Sequence, residues 1–295
     1  MNILSFDIEE WYLRKEKFAG KHVNYSDLDV KLEQLLSILE ETQQRATFFC
    51  LGKLAVFFPD VIRKISACGH EIGCHSDSHL WCNKMSDKEF EEDTHRAIDS
   101  LQQCIGKKIL SYRAPAFSIG EHNLHAFEIL LNQGIVYDSS VFPAYRDIGG
   151  FPTFGKSAPT LVRTKSGQLK EFPIPIISVF GKKMAWSGGG YFRMFPYPFV
   201  SYQMNHADYV MTYFHLADLL SSPKKMMSKA AYENYFKEPG TLKNRVQRYL
   251  KSNIGTGNAM HKLTKLLNQH RFVSIEEAGK QVLWCKAELL DINHV

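Results

Sequence analysis

Short apolar runs of strand length alternate with helix-length amphipathic segments along most of this 295-residue chain. Such alternation favours parallel strands joined by crossover helices. We therefore predict an α/β fold, a closed or distorted (β/α) barrel of parallel strands. The strands are predicted at 2–7, 46–51, 70–74, 109–112, 135–138, 208–214 and 271–274. The helices are predicted at 28–43, 53–67, 86–105, 121–133, 196–205, 241–252, 258–269 and 275–290.

Candidate metal ligands follow two of these strands. Asp7 and Glu9 come directly after the first apolar run, and His75 and His79 come after the third. Chemistry in α/β folds collects at the carboxyl ends of strands, so both motifs are expected on one rim. Two imidazoles and one carboxylate form a three-ligand set for a divalent ion that leaves one position open. The His-x3-His spacing alone is weak, because it also describes one face of a helix.

A series of motifs, taken in order, resembles the polysaccharide deacetylases of the NodB-homology type, carbohydrate esterase family 4. The resemblance runs from the first residues to about His215, and the tail at 271–278 is similar to the closing strand and helix of the family. Any one of these segments is a weak signal for the family, whereas the whole set in the family's order is a specific one. The matching segments are 5–11, 46–52, 69–79, 112–118, 137–140, 187–193 and 213–215.

The resemblance implies a set of catalytic roles. Asp7 matches the family's general base, and Arg113 matches the arginine that holds this carboxylate by bidentate hydrogen bonds. His215 matches the general acid that protonates the leaving amine. Asp138 is the residue expected to orient His215.

The expected metal ligands include one departure from the family. The family places its second carboxylate directly after the first, where this chain has the apolar Ile8. Glu9 lies two positions beyond Asp7, on the same side of a strand, and is the natural substitute. Glu10 is the alternative. We expect one divalent ion, zinc, held by Glu9 with the two histidines at 75 and 79.

Substrate contacts are expected from three residues. Tyr213 stands where the family commonly has a leucine that lines the acetyl pocket. Backbone N–H groups at Ala116 and Phe117 are candidates for donors to the oxyanion. Arg193 is a candidate for substrate contact, with packing of its own loop as the alternative. Cys74 adjoins His75 but is expected in the core, because neighbouring side chains of a strand point to opposite faces.

The resemblance implies metal-dependent N-deacetylation of an N-acetylated sugar. Because no export signal is visible and the thiols are expected to be free, the predicted role is in the synthesis of surface-glycan precursors of O-antigen or capsule type. Two alternatives remain. The departure at Ile8 is compatible with a catalytically silent, deacetylase-like protein that binds glycans or partners. A hydrolase of another amide or of a formyl group would use the same residues.

Bulk properties set the expected organisation and location. A chain of 33.9 kDa with 44% hydrophobic residues can form one catalytic domain over 1–295. Residues 144–195 are predicted to be an insertion at the rim, because ordinary connections are much shorter. No export signal is visible and no apolar run approaches the roughly 20 residues that span a bilayer. The six cysteines form no C-x-x-C motif, so reduced thiols and a cytoplasmic location are expected.

Positive charge is concentrated at 224–271, which contains eleven basic and two acidic residues, a net charge of +9. One interpretation is a set of solvated helix faces. The other is a patch for a phosphate-bearing substrate on a nucleotide or lipid-diphosphate carrier, or for anionic lipid at the inner membrane face. Nucleic acid is not expected as a partner, since no recognition motif accompanies the charge.

Overall fold

The computed structural model describes residues 1–18, 21–146, 149–220, 225–236 and 238–293. Its strands are β1 (Asn2–Ile3), β2 (Ser5–Ile8), β3 (Thr47–Cys50), β4 (Glu71–Cys74), β5 (Ser111–Tyr112), β6 (Tyr137–Asp138), β7 (Thr160–Arg163), β8 (Gln168–Glu171), β9 (Ile176–Val179), β10 (Lys182–Ala185), β11 (Val210–Met211), β12 (Phe214–His215) and β13 (Glu288–Asp291). Its α-helices are α1 (Glu10–Lys17), α2 (Ser26–Glu41), α3 (Gly52–Phe57), α4 (Pro59–Ala67), α5 (Asp87–Ile105), α6 (His125–Asn132), α7 (Gly189–Met194), α8 (Tyr197–His206), α9 (Leu216–Leu219), α10 (Lys229–Phe236), α11 (Leu242–Asn253), α12 (Ala259–Gln269) and α13 (Ile275–Gln281).

A nine-stranded sheet forms the centre of the molecule, in the order β12-β2-β3-β4-β5-β6-β8-β7-β13. Neighbouring strands are parallel except for β7 and β8, which are antiparallel. In the described residues β12 and β13 are the two end strands, so the sheet is a distorted barrel and not a closed one. The predicted α/β fold with mostly parallel strands is confirmed.

Apolar side chains on both faces hold the central strands in place. All four residues of β2 and of β3 are buried, as expected for parallel strands covered on both sides. The rings of Phe6 and Phe48 stack with their centroids 5.0 Å apart. Helix α2 contributes a buried leucine stripe that includes Leu28, Leu32 and Leu35. Each such side chain stabilises the fold by about 1.5–3 kcal/mol through burial.

Strand register brings polar residues to one edge of the sheet. Asp7 on β2 pairs directly with His215 on β12. The ladder continues past the strand ends, because the His75 N–H donates to Cys50 O at 2.9 Å and the Arg113 N–H donates to Cys74 O at 2.9 Å. Residues that are far apart in sequence are thereby fixed within one rim.

Four predicted elements differ from the structure. The strand predicted at 208–214 is two strands, β11 and β12. The helix predicted at 53–67 is two helices, since Pro59 has no N–H to donate and disfavours helical geometry at Phe58. The strand predicted at 271–274 is reduced to one bridge, between Ile3 and Val273. The helix predicted at 275–290 ends at Gln281, and the residues beyond it include β13.

The predicted rim insertion at 144–195 contains regular structure. Strands β7 and β8 form a hairpin that joins the central sheet, and β9 and β10 form a second antiparallel pair. The turn of the second pair has positive φ at both Phe180 (49°) and Gly181 (76°). Positive φ at both central residues is typical of the tight hairpin turns that match strand twist.

All six cysteines are free, and Cys50, Cys74 and Cys82 are buried. The prediction that Cys74 belongs to the core is therefore confirmed. Within the described part of the chain, no helix combines the length and the apolar character needed to cross a bilayer.

Candidate active site

Glu9, His75 and His79 meet at the carboxyl ends of β2 and β4. One ligand atom of each lies within 4.8 Å of the others. Glu9 Oε2 lies 2.7 Å from His79 Nε2 and 3.6 Å from His75 Nε2. His75 Nδ1 lies 2.7 Å from Arg113 O. Because a carbonyl oxygen only accepts, Nδ1 is the donor in this contact, and Nε2 is left as the ring nitrogen that faces Glu9.

The electrostatics of this cluster fit a cation. Glu9 Oε2 is buried without a well-formed hydrogen bond. Burial alone would raise the pKa of the Glu9 carboxyl, but the positive charges of His79 and His215 and hydrogen bonding to the histidines hold it well below its usual range. A carboxylate and two imidazole nitrogens directed at one point are a donor set for a divalent ion such as zinc. The residues present therefore fit the metal that the sequence predicts.

Backbone geometry at this site is unusual for residues with side chains. Ser76 and His79 both have φ of 66°, in the left-handed region that β-carbons disfavour. The Ser76 hydroxyl oxygen accepts the His79 N–H at 2.9 Å, which stabilises the loop between them. This turn redirects the chain after β4, so that both histidines face Glu9.

The neighbours of Glu9 explain which carboxylate joins the cluster. Ile8 is fully buried in the core, so the apolar departure from the family pattern lies away from the site. Glu10 is the first residue of α1, and its Oε1 accepts the Ala217 N–H at 2.6 Å. Burial and the charge of Glu9 raise the pKa of Glu10 to about 7. The geometry therefore favours Glu9 over Glu10 as the ligand, as the sequence predicts.

Asp7 is buried beside the cluster and is held by Arg113. The Arg113 Nη1 donates to Asp7 Oδ1 at 2.8 Å, and both side chains are almost fully enclosed. The expected bidentate pair is not formed, since Arg113 Nη2 donates to Ser139 Oγ at 3.0 Å and Nε donates to Ser139 O at 3.2 Å. Asp7 Oδ2 is the oxygen that lies nearer His215, 3.9 Å from its Nε2.

His215 is placed between Asp7 and a second acid, Asp218. Its Nε2 lies 3.9 Å from Asp7 Oδ2 and 3.8 Å from Glu9 Oε1, and its Nδ1 lies 3.2 Å from Asp218 Oδ2. Burial would lower the pKa of His215, but the hydrogen bond with Asp218 and the charges of Glu9, Asp218 and Asp7 raise it to about 10. A protonated imidazole at this place can act as a proton donor.

The prediction that Asp138 orients His215 is wrong. Asp138 ends β6, and four strands separate β6 from β12 in the sheet. Its Oδ1 accepts the Ser140 hydroxyl at 2.6 Å and its Oδ2 accepts the Ser140 N–H at 3.1 Å. Burial raises the pKa of the neighbouring Glu171 carboxyl, and the charge of Asp138 raises it further. Asp138 instead shapes the turn at Ser139, which holds Arg113.

The prediction that Arg193 contacts substrate is also contradicted. Arg193 is buried, its Nε lies 3.2 Å from Asp218 Oδ1, and its Nη1 donates to Ser252 O at 2.8 Å. The packing alternative is the correct one. Arg193 fixes Asp218, which in turn fixes His215.

Phe117 and Tyr213 form an aromatic wall, with their rings edge to face and centroids 5.2 Å apart. Both side chains are largely buried. The Phe117 N–H donates to Ala114 O at 3.1 Å, so the prediction that it serves the oxyanion is wrong. Two predictions are not tested: that Tyr213 lines the acetyl pocket, and that the N–H of Ala116 donates to the oxyanion. The φ of Ala116 is 57°.

Asp218 is the residue that sequence reasoning missed. It lies three positions after His215, at the third residue of the short helix α9, and its Oδ2 also accepts the His215 N–H at 3.1 Å. A His-x-x-Asp spacing at a strand-to-helix junction resembles a capping box. That local signal was present in the sequence at 215–218.

Replacing Asp218 with Asn is expected to lower kcat roughly a hundredfold, the lower end of the contribution of a positioned proton donor. Asp218 raises the pKa of His215, so its loss lowers that pKa. The basic limb of the pH–rate profile, where the acid loses its proton, should then begin at lower pH. The measurement is kcat against pH for both proteins.

Asp99→Asn is the matched control, because it removes the carboxylate of an exposed histidine–aspartate pair, His95 and Asp99, 3.2 Å apart on α5. Its pH–rate profile should match that of the unaltered protein. If the basic limb of the Asp218 variant lies at the same pH as in the unaltered protein, Asp218 does not position His215.

Two family models match successive parts of the chain. The polysaccharide deacetylase model matches residues 25–135, and a domain of unknown function, DUF3473, matches residues 139–280. The peptidoglycan deacetylase of Helicobacter pylori is 28% identical over 113 residues, which are 38% of this chain and 38% of that protein. Chitin deacetylase 1 of Saccharomyces cerevisiae is 30% identical over 90 residues, 30% of each chain. The chain thus spans well under half the length of these relatives.

The fold is shared with a solved structure from Mycobacterium smegmatis, described as a candidate polysaccharide deacetylase. It has a TM-score of 0.59 and 19% identity, and the match covers 99% of this chain and 93% of that one. This likeness concerns the fold alone. The similarity to polysaccharide deacetylases is thus found in the family model over residues 25–135 and in the partial matches to these relatives, while the fold of the whole chain is that of the Mycobacterium smegmatis structure.

Proposed function

We propose that this protein is a metal-dependent N-deacetylase that acts on an N-acetylated sugar. The observation that carries the proposal is the juxtaposition of a base, an acid and a metal-ligand set. His215 Nε2 lies within 3.9 Å of both Asp7 and Glu9, and Glu9 lies against His75 and His79. Several relatives are named as deacetylases of N-acetylated glycans, which supports the same reaction class.

Glu9, His75 and His79 would hold the ion, for which zinc is the proposed identity. A divalent ion bound there would polarise the amide carbonyl and lower the pKa of water. The residues of this chain perform the proton transfers. Asp7 accepts a proton from the attacking water, and Arg113 keeps its carboxylate oriented through the 2.8 Å contact. Water adds to the carbonyl carbon as this proton leaves.

His215 completes the reaction. It donates a proton to the nitrogen of the leaving amine as the C–N bond breaks, which yields acetate and the free amino sugar. The raised pKa of His215, about 10, keeps the ring protonated at neutral pH. Asp218 and Arg193 hold it in place from the side opposite Asp7. Both matched regions contribute to one continuous sheet, and for this reason we propose that the whole chain works as one catalytic domain.

The direct test is acetate release from a panel of N-acetylated nucleotide sugars and lipid-linked N-acetylated sugars, with formylated analogues included. We expect turnover on at least one acetylated compound and its loss after chelation, with recovery on adding zinc. Turnover of formyl compounds only would redirect the assignment to a formyl hydrolase. A protein that holds the metal but releases no acetate or formate would support the catalytically silent alternative.

The finer proposal is a sugar carried on phosphate, a nucleotide or a lipid diphosphate, in surface-glycan precursor synthesis. It is supported by a cavity of about 340 Å³ whose lining includes two tyrosines and two cations against one acid, namely Tyr145, Tyr232, Arg248, Lys251 and Glu238. Aromatic faces and cations suit sugar rings and phosphate groups. Of the basic residues at 224–271, Lys224 and Lys237 lie outside the described residues. Arg245 donates to Met227 O at 3.3 Å and is not part of the cavity lining.

Replacing Arg248 and Lys251 with Gln is expected to raise KM about tenfold with little change in kcat, because the two cations bind the carrier and not the reacting amide. KM for the unaltered protein should also rise with salt. The control replaces Lys265 and Arg271 with Gln, which removes the same charge from exposed positions outside the cavity. If both double variants have the same KM, and if KM does not change with salt, the basic residues are solvated helix faces and do not bind a carrier.

A further inference from the structure

Helix α11 exposes an apolar face. None of its twelve residues is buried. Leu242, Val246, Tyr249 and Leu250 are exposed by 63%, 38%, 37% and 60%, and Ile254 just after the helix by 48%. The four helical positions follow the i, i+4, i+7, i+8 pattern, so they share one stripe. An amphipathic helix normally turns such a stripe to the core, whereas a contiguous exposed one marks a contact surface.

The opposite face of α11 is polar and borders a cavity. Asn244, Gln247, Arg248 and Lys251 line the 340 Å³ cavity, together with Tyr145 from the rim. At about 100° per residue, these positions lie across the helix from the apolar stripe. The stripe is therefore the outward side of α11.

The first turn of α11 is capped by Thr241, and its last turn is held by Arg193. The Thr241 hydroxyl accepts the Asn244 N–H at 3.2 Å at the first turn, and Ser252 O accepts Arg193 Nη1 at 2.8 Å at the last. An amphipathic helix that merely frays would not have both contacts. The exposed stripe thus belongs to a formed and anchored helix.

The charge around the stripe identifies the kind of partner. Residues 239–275 contain no acidic residue and seven basic residues. Lys243 and Arg245 lie on either margin of the stripe at about 100° per residue. A second copy of this chain would bring two such acid-free segments together, so like charges disfavour self-association through this face. An anionic surface with an apolar interior complements both the stripe and its margins.

We propose that α11 docks flat on an anionic lipid bilayer. Leu242, Val246 and Leu250 enter the boundary between headgroups and acyl chains. Tyr249 lies at the same level, where an amphipathic ring is favoured. Lys243 contacts the lipid phosphates at the margin. The polar face of the helix stays with the protein, so the cavity lined by Arg248 and Lys251 lies next to the membrane surface.

The test measures binding of the full chain to vesicles by co-sedimentation. One set contains phosphatidylglycerol and phosphatidylcholine in equal amounts, and the other contains phosphatidylcholine alone. We expect binding to the anionic vesicles that weakens as salt rises. The variant Leu242→Glu with Leu250→Glu should bind at least about tenfold more weakly, since two inserted leucines are lost and two negative charges are added.

The matched control is Val30→Glu with Leu283→Glu. These residues are exposed by 52% and 66%, comparable with the two leucines, and lie outside α11. The control should bind anionic vesicles like the unaltered protein, and circular dichroism should show both double variants folded, because no altered side chain is buried.

Four outcomes would overturn the proposal. They are no binding to anionic vesicles, equal binding to neutral vesicles, equal loss in the control, and concentration-dependent dimers that the Leu242 and Leu250 changes abolish. The last would assign the stripe to a second copy of the chain. None of these readouts depends on turnover, so failure here leaves the proposed deacetylase activity to its own assay.

Discussion

Replacing Asp7 with Asn is expected to lower kcat about 10²- to 10⁴-fold while the protein keeps its metal ion. Asn is close to Asp in shape and can still accept the Arg113 hydrogen bond, but its amide oxygen is far too weak a base to take the proton from water. Asp7 is not one of the three clustered ligands, so metal content should not change. The measurements are kcat and the metal content of the same preparation.

Stability must be measured beside the rate, because Arg113 is fully buried and Asp7 carries its opposite charge. Loss of that charge leaves a buried guanidinium less well compensated, which can cost about 3–5 kcal/mol. The control Glu71→Gln neutralises a half-buried carboxylate at the start of β4, the end opposite the histidines. It should lose stability but keep its kcat. A near-normal kcat for Asp7→Asn would exclude Asp7 as the base.

Replacing His75 with Ala is expected to remove the metal ion and the activity together. Only Glu9 and His79 would remain, and two protein ligands hold a divalent ion poorly against competing water. His75 is also the histidine whose ring is fixed by the 2.7 Å contact of Nδ1 with Arg113 O. Metal content and acetate release, measured on one sample, should fall in parallel.

Two further variants sharpen this prediction. Glu9→Ala should behave like His75→Ala, whereas Glu10→Ala should keep the metal, since Glu10 is directed at the Ala217 N–H. His95→Ala, at an exposed histidine of α5, is the control for loss of an imidazole. Full metal occupancy in His75→Ala would contradict the assignment of His75 as a ligand. Metal loss in Glu10→Ala, without loss in Glu9→Ala, would show that Glu10 is the carboxylate ligand.

The first half of the fold was predictable because its signals are local. Strands β2, β3 and β4 are short segments that are buried on both faces apart from Glu71, and the polar residues of the site lie at or just after their carboxyl ends. The period of two along a strand places Asp7 and Glu9 on one side and Ile8 on the other. The structure follows that rule, because Ile8 enters the core.

The orientation of His215 was not predictable from the family pattern. The pattern indicates Asp138, but strand order separates β6 from β12, and the Asp138 carboxylate is already bonded to Ser140. His215 is instead oriented by Asp218, which lies three residues further along the chain. A sequence motif can thus identify a candidate catalytic residue such as His215. The residue that contacts it depends on which elements lie next to it in the fold.

The strands of the insertion at 144–195 and of the end of the chain were not predictable from sequence, for a different reason. Strands β7 to β10 are four residues each, too short to give a clear alternation, and their pairing depends on turns such as the one at Phe180. Strand β13 pairs with β7 more than a hundred residues away. Tertiary pairing of this kind overrides local preference.

The pairing of Asp7 with His215 has a consequence for how the molecule forms during synthesis. Asp7 and all three clustered ligands lie within residues 7–79, but His215, the proposed proton donor, is synthesised 136 residues after His79. Until then β2 lacks its neighbour β12, and one edge of the nascent sheet stays open. Long-range parallel pairing closes slowly, and open strand edges attract other chains. The ligand-bearing segment is therefore synthesised first, and its open edge is exposed to wrong pairing until β12 has been made.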